Sequence, residues 1–227
     1  MKTAVITGAS SGIGLEIAKA FCKQKFRVFG LARDFSKCNF EDKNFIKKEC
    51  DVRVKKEVVY FWEQMKKIPV DILVHSAGVG YFGLHENISY EKIEQMIDTN
   101  LKAPIYISKL FLSHLKATHG YIFNINSISA IKEATYGAVY GATKAGLRHF
   151  GKTLFQEYRK SGIKVVNIEP DLTKTPWFDD KNFTYYDDPK SVIDPKEIAK
   201  IVLDIINLNA VVTDIVLEPQ RFRIEKK

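Results

Sequence analysis

Tyr140 and Lys144 stand four residues apart, and Ser127 lies thirteen residues before the tyrosine. On a helix, Tyr-x-x-x-Lys puts both side chains on one face, one turn apart. A free phenol has a pKa of about 10 and is a poor proton shuttle at pH 7. A neighbouring ammonium favours the phenolate, so Lys144 is expected to lower the Tyr140 pKa. The Ser127 hydroxyl can hold a substrate oxygen against the phenol. Alone, the pair is a weak signal, because most such pairs are accidents of a helix surface. Its weight comes from the rest of the chain.

The N-terminal residues read KTAVITGASSGIG. Ala4 to Ile6 is a short apolar run of the kind found in buried parallel strands. A glycine-rich turn follows, then an amphipathic pattern with Leu15, Ile17, Ala18, Phe21 and Cys22. Strand, turn and helix in that order place unpaired N–H groups and a partial positive charge where a pyrophosphate can bind. The spacing of Gly8, Gly12 and Gly14 is G-x-x-x-G-x-G, not the common G-x-G-x-x-G.

Strand-like and helical patterns alternate along the chain. The strand-like runs are Ala4–Thr7, Arg27–Ala32, Phe45–Cys50, Asp71–His75, Gly120–Asn126, Lys164–Glu169 and Thr213–Glu218. The helical patterns are Ile13–Lys25, Lys55–Lys67, Tyr90–Asn100 continuing to Lys116, Ala138–Lys160 and Pro195–Leu208. The alternation predicts an α/β fold, a doubly wound parallel sheet with helices on both faces. Gly8, Arg33, Asp51, Ala77, Ser127 and Pro170 fall at or just after strand ends, so they share one edge. With 227 residues and no linker or repeat, one domain spanning 1–227 is expected.

Taken together these residues resemble the short-chain dehydrogenase/reductase family, from Thr3 to about Pro219. The resemblance implies a Rossmann-type nucleotide-binding fold. In TGASSGIG it implies cofactor contacts from Gly8, Ser10, Ser11, Gly12, Ile13 and Gly14. Asp51 and Val52 match the adenine-contacting pair, and Ala77 and Gly78 the point where backbone passes the cofactor. Asn100, Ser127, Tyr140 and Lys144 match the catalytic tetrad, of which Asn100, Tyr140 and Lys144 also border the cofactor. Pro170, Thr173 and Thr175 fall in the segment that touches the nicotinamide carboxamide. Two positions depart from the family. His75-Ser76-Ala77-Gly78 stands where Asn-Asn-Ala-Gly is usual, and Pro170-Asp171 where Pro-Gly is usual. Pro104 lacks the N–H that would bond the Asn100 carbonyl. By the resemblance that carbonyl holds a proton-relay water; a kink without catalytic meaning is the other reading.

Family enzymes that prefer NAD place an acid at the end of the second strand, which here is Ala32. Arg33 follows and can pair bidentately with a 2′-phosphate. Asp34 is the counter-argument, since an acid facing the ribose would favour NAD. NADP(H) is expected over NAD(H).

Residues 172–195 form a long stretch without clear periodicity, which in a compact domain is functional or mobile. Trp177, Phe178, Phe183, Tyr185 and Tyr186 alternate there with Asp179, Asp180, Lys181, Asp187 and Asp188. The resemblance makes this the substrate lid; anchoring of the loop to the body or to a partner subunit is the alternative. Tyr81, Phe82 and Tyr136 are candidates for the same cleft.

The net charge of +8 is carried by scattered pairs such as Lys47-Lys48, Lys55-Lys56 and Lys66-Lys67. They read as solvated faces, so no nucleic-acid partner is expected, and the basic tail from Arg221 is too short for an arm. No apolar run is long enough to span a membrane. Lys2 leads straight into the first strand, so no signal peptide is expected. Three widely spaced cysteines, Cys22, Cys38 and Cys50, fit reduced thiols and a cytoplasmic location. The five histidines show no metal-ligand spacing. The reading is a reductase moving a hydride between NADPH and a small-molecule carbonyl, or the reverse with an alcohol. Alternatives are an epimerase or dehydratase on the same scaffold, and a dinucleotide-sensing protein without turnover. By resemblance a homodimer or homotetramer is expected.

Overall fold

The computed structural model describes residues 1–226. The β-branched and apolar runs pair into one seven-stranded, all-parallel sheet. Its strands are β1 (Thr3–Thr7), β2 (Arg27–Ala32), β3 (Phe45–Glu49), β4 (Ile72–His75), β5 (Tyr121–Ile125), β6 (Lys164–Pro170) and β8 (Asp214–Leu217), in the order β3-β2-β1-β4-β5-β6-β8. The helices are α1 (Gly12–Lys23), α2 (Lys55–Met65), α3 (Tyr90–Ile97), α4 (Ala103–Thr118), α5 (Ala138–Tyr158) and α6 (Pro195–Ile205).

Side-chain alternation along each strand sorts the core into two layers. Ala4, Ile6, Val28, Ile72, Val74, Phe123 and Ile168 pack against α1 and α6. Val5, Phe29, Leu31, Leu73, Ile122 and Val165 pack against α2, α4 and α5. Chain order reverses at β1, which lies between β2 and β4. A ligand crevice is expected at that reversal, beyond the strands' C-terminal ends.

Two parts of the fold differ from the sequence pattern. The continuous helix expected from Tyr90 to Lys116 is interrupted by a π-helical turn at Asp98–Lys102, with Asn100 wholly buried in it. Ala103 N–H bonds the Asp98 carbonyl, the wider i→i+5 closure, and Pro104 follows at the start of α4. The region 172–195 and the tail also carry strand. β7 (Phe183–Tyr185) pairs antiparallel with β9 (Ile224–Lys226) as a separate two-stranded ribbon.

Candidate active site

The strand ends open onto a cavity of about 1730 Å³. At its first wall, Gly8 has φ +68°, and a Cβ there would lie 2.7 Å from the Ala77 backbone. A Cβ on Gly14 would stand 2.3 Å from the Gly8 carbonyl oxygen. The turn therefore closes tightly enough to aim the start of α1 at the cavity. Ser11 at that helix start makes no side-chain cap, and the first turn carries no acid. The α1 N-terminus thus presents its amides and partial positive charge without internal neutralisation, which suits a dinucleotide pyrophosphate. Ser10, Ser11, Gly12 and Ile13 line the cavity, whereas Gly14 lies behind the turn as a packing position.

Arg33, Asp34, Lys37, Asp51, Val52 and Arg53 line the same end. The Asp34 carboxylate accepts from the Ser36 backbone N–H at 2.7 Å and from the Ser36 hydroxyl at 2.6 Å. Arg53 grips Asp51, with its Nη2 at 2.6 Å from Oδ2, and this bond holds the Asp51 carboxyl below its ordinary value. Arg33 is exposed and appears in no ion pair with either acid.

At the other end, Tyr140 and Lys144 project from the first turns of α5, and Ser127 follows β5. Ser127, Tyr140 and Lys144 line the cavity, with Ala77, Gly78, Pro170, Thr173 and Thr175 around them. Lys144 Nζ donates to the Ile125 carbonyl at 3.0 Å and lies 5.8 Å from the Tyr140 ring centroid. Gly78 makes room, since a Cβ there would meet Lys144 Nζ at 3.5 Å and Asn100 Oδ1 at 3.6 Å. Asn100 is not on the cavity wall. Its amide pins the loop after β4, accepting from Val79 N–H at 2.9 Å and donating to the Val79 carbonyl at 2.8 Å. It also donates to Thr143 Oγ1 at 3.1 Å, tying the π turn to α5.

Over the tyrosine sits an aromatic cluster. Phe82 and Trp177 have ring centroids 5.3 and 5.8 Å from that of Tyr140. Phe183 stands 5.3 Å from Phe82, and Phe178 stands 4.9 Å from Trp177. Tyr81, Tyr136, Trp177, Phe178 and Phe183 line the cavity; Tyr185 instead backs Phe178 at 5.5 Å.

The family model for short chain dehydrogenases matches residues 2–185. The chain belongs to the short-chain dehydrogenase family. An uncharacterised oxidoreductase of Staphylococcus saprophyticus is 33% identical over 213 residues, 89% of each chain. A probable NADP-dependent dehydrogenase of Haemophilus influenzae is 30% identical over 221 residues, 88% of this chain and 86% of that one. An alcohol dehydrogenase from the archaeon Thermococcus sibiricus, complexed with 5-hydroxy-NADP, superposes with a TM-score of 0.88. It is 27% identical, and the match covers 98% of this chain and 99% of that one. The chain is thus an NAD(P)-dependent oxidoreductase of the short-chain dehydrogenase family.

For this short-chain dehydrogenase the expected pKa order is corrected. Burial pushes the Tyr140 phenol up to about 12, with a Ser127 hydrogen bond acting the other way. Burial pulls the Lys144 amine down to about 8. Desolvation of both groups dominates and outweighs the lowering expected from a neighbouring ammonium. Expectations at the two departures are also refined. Asp171 is absent from the residues with positive φ, so its backbone needs no glycine there, and its carboxylate accepts from Leu172 N–H at 2.8 Å. His75 bonds Ser108 Oγ at 2.9 Å through Nε2, while buried Nδ1 has no partner among the described residues.

Desolvation pushes His75 down to about 3. A histidine lowered on folding stabilises the native state above its unfolded value of about 6.5, and that stability is lost as pH falls toward about 3. By about pH 5.5 the loss attributable to His75 is about 1.4 kcal/mol. Urea unfolding of a His75→Asn variant is expected to show a flatter acid limb than the wild type. Equal pH dependence in the two proteins would refute the assignment.

Thr7, Thr143 and the tail residues Phe222 and Ile224 were not legible as site residues. Thr7 Oγ1 accepts from Ser76 and Ala77 N–H, each at 3.2 Å, and so sews β1 to the loop after β4. A threonine ending a strand beside the glycine turn was the one available signal for it. Thr143, beside Lys144 in α5, gave none, because its partner Asn100 is 43 residues away.

Proposed function

We propose that the protein reduces a carbonyl of an apolar or ring-bearing small molecule with NADPH, or oxidises the corresponding alcohol. The observation that carries this is a buried phenol, beside Ser127 and backed by Lys144, facing a cavity whose far wall is the uncapped start of α1.

A bound nicotinamide supplies the hydride. Tyr140 holds a proton that it gives to the oxygen of the forming alkoxide, and the raised pKa keeps it protonated at neutral pH. Ser127 orients the carbonyl oxygen toward that proton. Lys144 holds the nicotinamide ribose hydroxyls and offsets charge near the phenol. Asn100 acts from beneath, fixing the Val79 backbone and α5, while Pro104 leaves the Asn100 carbonyl without its i+4 donor. Gly8, Ser10, Ser11, Gly12, Ile13 and Gly14 shape the pyrophosphate cradle, and Asp51, Val52, Ala77 and Gly78 flank the adenosine and backbone path. Pro170, Thr173 and Thr175 border the carboxamide. Preference for NADPH is supported by the exposed Arg33 and by Asp34, whose oxygens serve Ser36. The Haemophilus relative named NADP-dependent and the NADP-type ligand in the archaeal structure accord with it.

The proposal extends to one nucleotide-binding domain over 1–227 with a lid at 172–195, acting in the cytoplasm as a homodimer or homotetramer. Three free, buried thiols fit a reducing compartment. No helix of the described residues is long and apolar enough to cross a membrane. The decisive experiment is NADPH oxidation over aldehydes, diketones, sugars and quinones. Turnover of an aldehyde, ketone or quinone with NADPH is expected. Product formation without net cofactor consumption would replace the reductase with an epimerase or dehydratase.

The depressed Lys144 value predicts a pH limb. The ammonium is held below about pH 8 and lost above it. kcat/KM for NADPH, which reports the free enzyme, is expected to decline as pH rises through that value. In Lys144→Arg the guanidinium keeps its charge, and the decline should disappear. A wild-type profile flat to about pH 10 would show that Lys144 does not lose its proton near pH 8 in the free enzyme, and would overturn the predicted limb.

A further inference from the structure

Residues 221–226 read from sequence as a short basic tail, yet they reach back over the lid. β9 pairs with β7 in the register Phe183↔Lys226, Thr184↔Glu225 and Tyr185↔Ile224. Tyr186 N–H donates to the Arg223 carbonyl at 3.3 Å, and Arg221 N–H to the Lys190 carbonyl at 2.8 Å. The Arg223 guanidinium stacks over Tyr186, 4.0 Å from the ring centroid. The base of the lid is stitched separately, by Lys174 N–H to the Ile193 carbonyl and Ile193 N–H to the Leu172 carbonyl, each within 2.9 Å. The tip, residues 183–190, is thus held by the tail.

That tip is in contact with the reacting end of the cavity. Phe183 packs on Phe82, and Phe82 on Tyr140. Strand alternation puts Ile224 and Lys226 on one face of β9 and Glu225 on the other. Phe222, Ile224 and Lys226 line the cavity, and Glu225 does not. Phe222 is 68% exposed and Ile224 48% exposed, so two apolar side chains border the cavity largely uncovered. They line the same cavity as Trp177, Phe178 and Phe183, and Trp177 packs on the Tyr140 ring.

We infer that the C-terminal segment is part of the substrate site: β9 clamps the lid through β7, and Phe222 and Ile224 form the outer wall for the apolar, distal part of a carbonyl substrate. The wall rests on the reductase reading above; the clamp does not. The selection it imposes is for length and apolar bulk beyond the reacting carbonyl, since a two- or three-carbon aldehyde would not extend to Phe222.

The test uses two full-length variants. The bond from Tyr186 N–H to the Arg223 carbonyl makes Thr184 and Glu225 a hydrogen-bonded pair, so Glu225→Pro removes a donor that faces β7 without touching the cavity wall, whereas Phe222→Ala leaves the ribbon intact. Hydrogen exchange of peptides covering 183–190 is expected to speed up about tenfold or more in Glu225→Pro, with β6 unchanged. In Phe222→Ala, KM for long-chain or ring-bearing carbonyls is expected to rise about tenfold relative to a small aldehyde, with kcat nearly constant, as loss of one buried phenyl contact implies. Unchanged exchange at 183–190 would overturn the clamp, whatever the activity. A KM increase equal for small and bulky carbonyls would overturn the wall. Failure of the wild type to reduce any carbonyl would remove the reductase reading and the wall with it, while the exchange result would still decide the clamp.

Discussion

Tyr140→Phe is expected to lower carbonyl reduction by about 10²–10⁴-fold, the usual contribution of a positioned general acid. The substitution removes the hydroxyl beside Ser127 and keeps the ring that packs at 5.3 Å on Phe82 and 5.8 Å on Trp177. The lid and the walls of the cavity should therefore survive, and NADPH affinity should change little. Lys144→Ala is expected to damage both, because the proposed role of the amine serves the ribose as well as the phenol, and its removal leaves the Ile125 carbonyl without that donor. Single-turnover NADPH oxidation and fluorescence titration of NADPH separate the two outcomes. More than about a tenth of the wild-type rate in Tyr140→Phe would remove the tyrosine from the acid role, since such a loss lies below the range for general acid catalysis.

How far the sequence reaches is clearest in the two halves of this site. The sheet and the positions along its edge follow from local pattern. The strand-like runs became β1 to β6, and the residues at or just after their ends, Gly8, Arg33, Asp51, Ala77, Ser127 and Pro170, all line the cavity. Each of these needs only its own strand to be correctly placed. The elements that escaped depend on distant partners. β7 has three residues and is a strand only because Ile224–Lys226 lies beside it, about forty residues along the chain. No periodicity can reveal a strand so short. Electrostatics escaped for a related reason. The spacing of Tyr140 and Lys144 gives their proximity, but the sign of the phenol shift is set by burial, which depends on the whole fold. Asn100 shows the same limit. Its identity was legible, whereas its side-chain work on Val79 and Thr143 is set by the π turn that buries it.

Arg33→Ala is expected to weaken NADPH binding by roughly ten- to a hundredfold and to leave NADH nearly unchanged. Removing a charge-assisted hydrogen-bonded contact costs about 1.5–3 kcal/mol, which converts to that range. The structure sharpens the reason for choosing this residue over its neighbours. Arg53 also lines the adenosine end, but its guanidinium is spent on Asp51 through Nε and Nη2. Asp34, the acid that would favour a ribose hydroxyl, is drawn into the turn at Ser36 through both carboxylate oxygens. Arg33 is exposed on the cavity wall, close enough to Asp51 to help lower its pKa. A phosphate on the ribose would therefore meet a cation that is not engaged in a short ion pair, and a bare hydroxyl would gain little from it. Titration of both cofactors into both proteins measures the difference directly. Equal losses for NADPH and NADH would mean that Arg33 contributes only a general positive field. A loss confined to NADPH would place the 2′-phosphate on Arg33. Asp34→Ala serves as the control: with its oxygens held by Ser36, it should alter NADH affinity far less than an acid that reads the ribose.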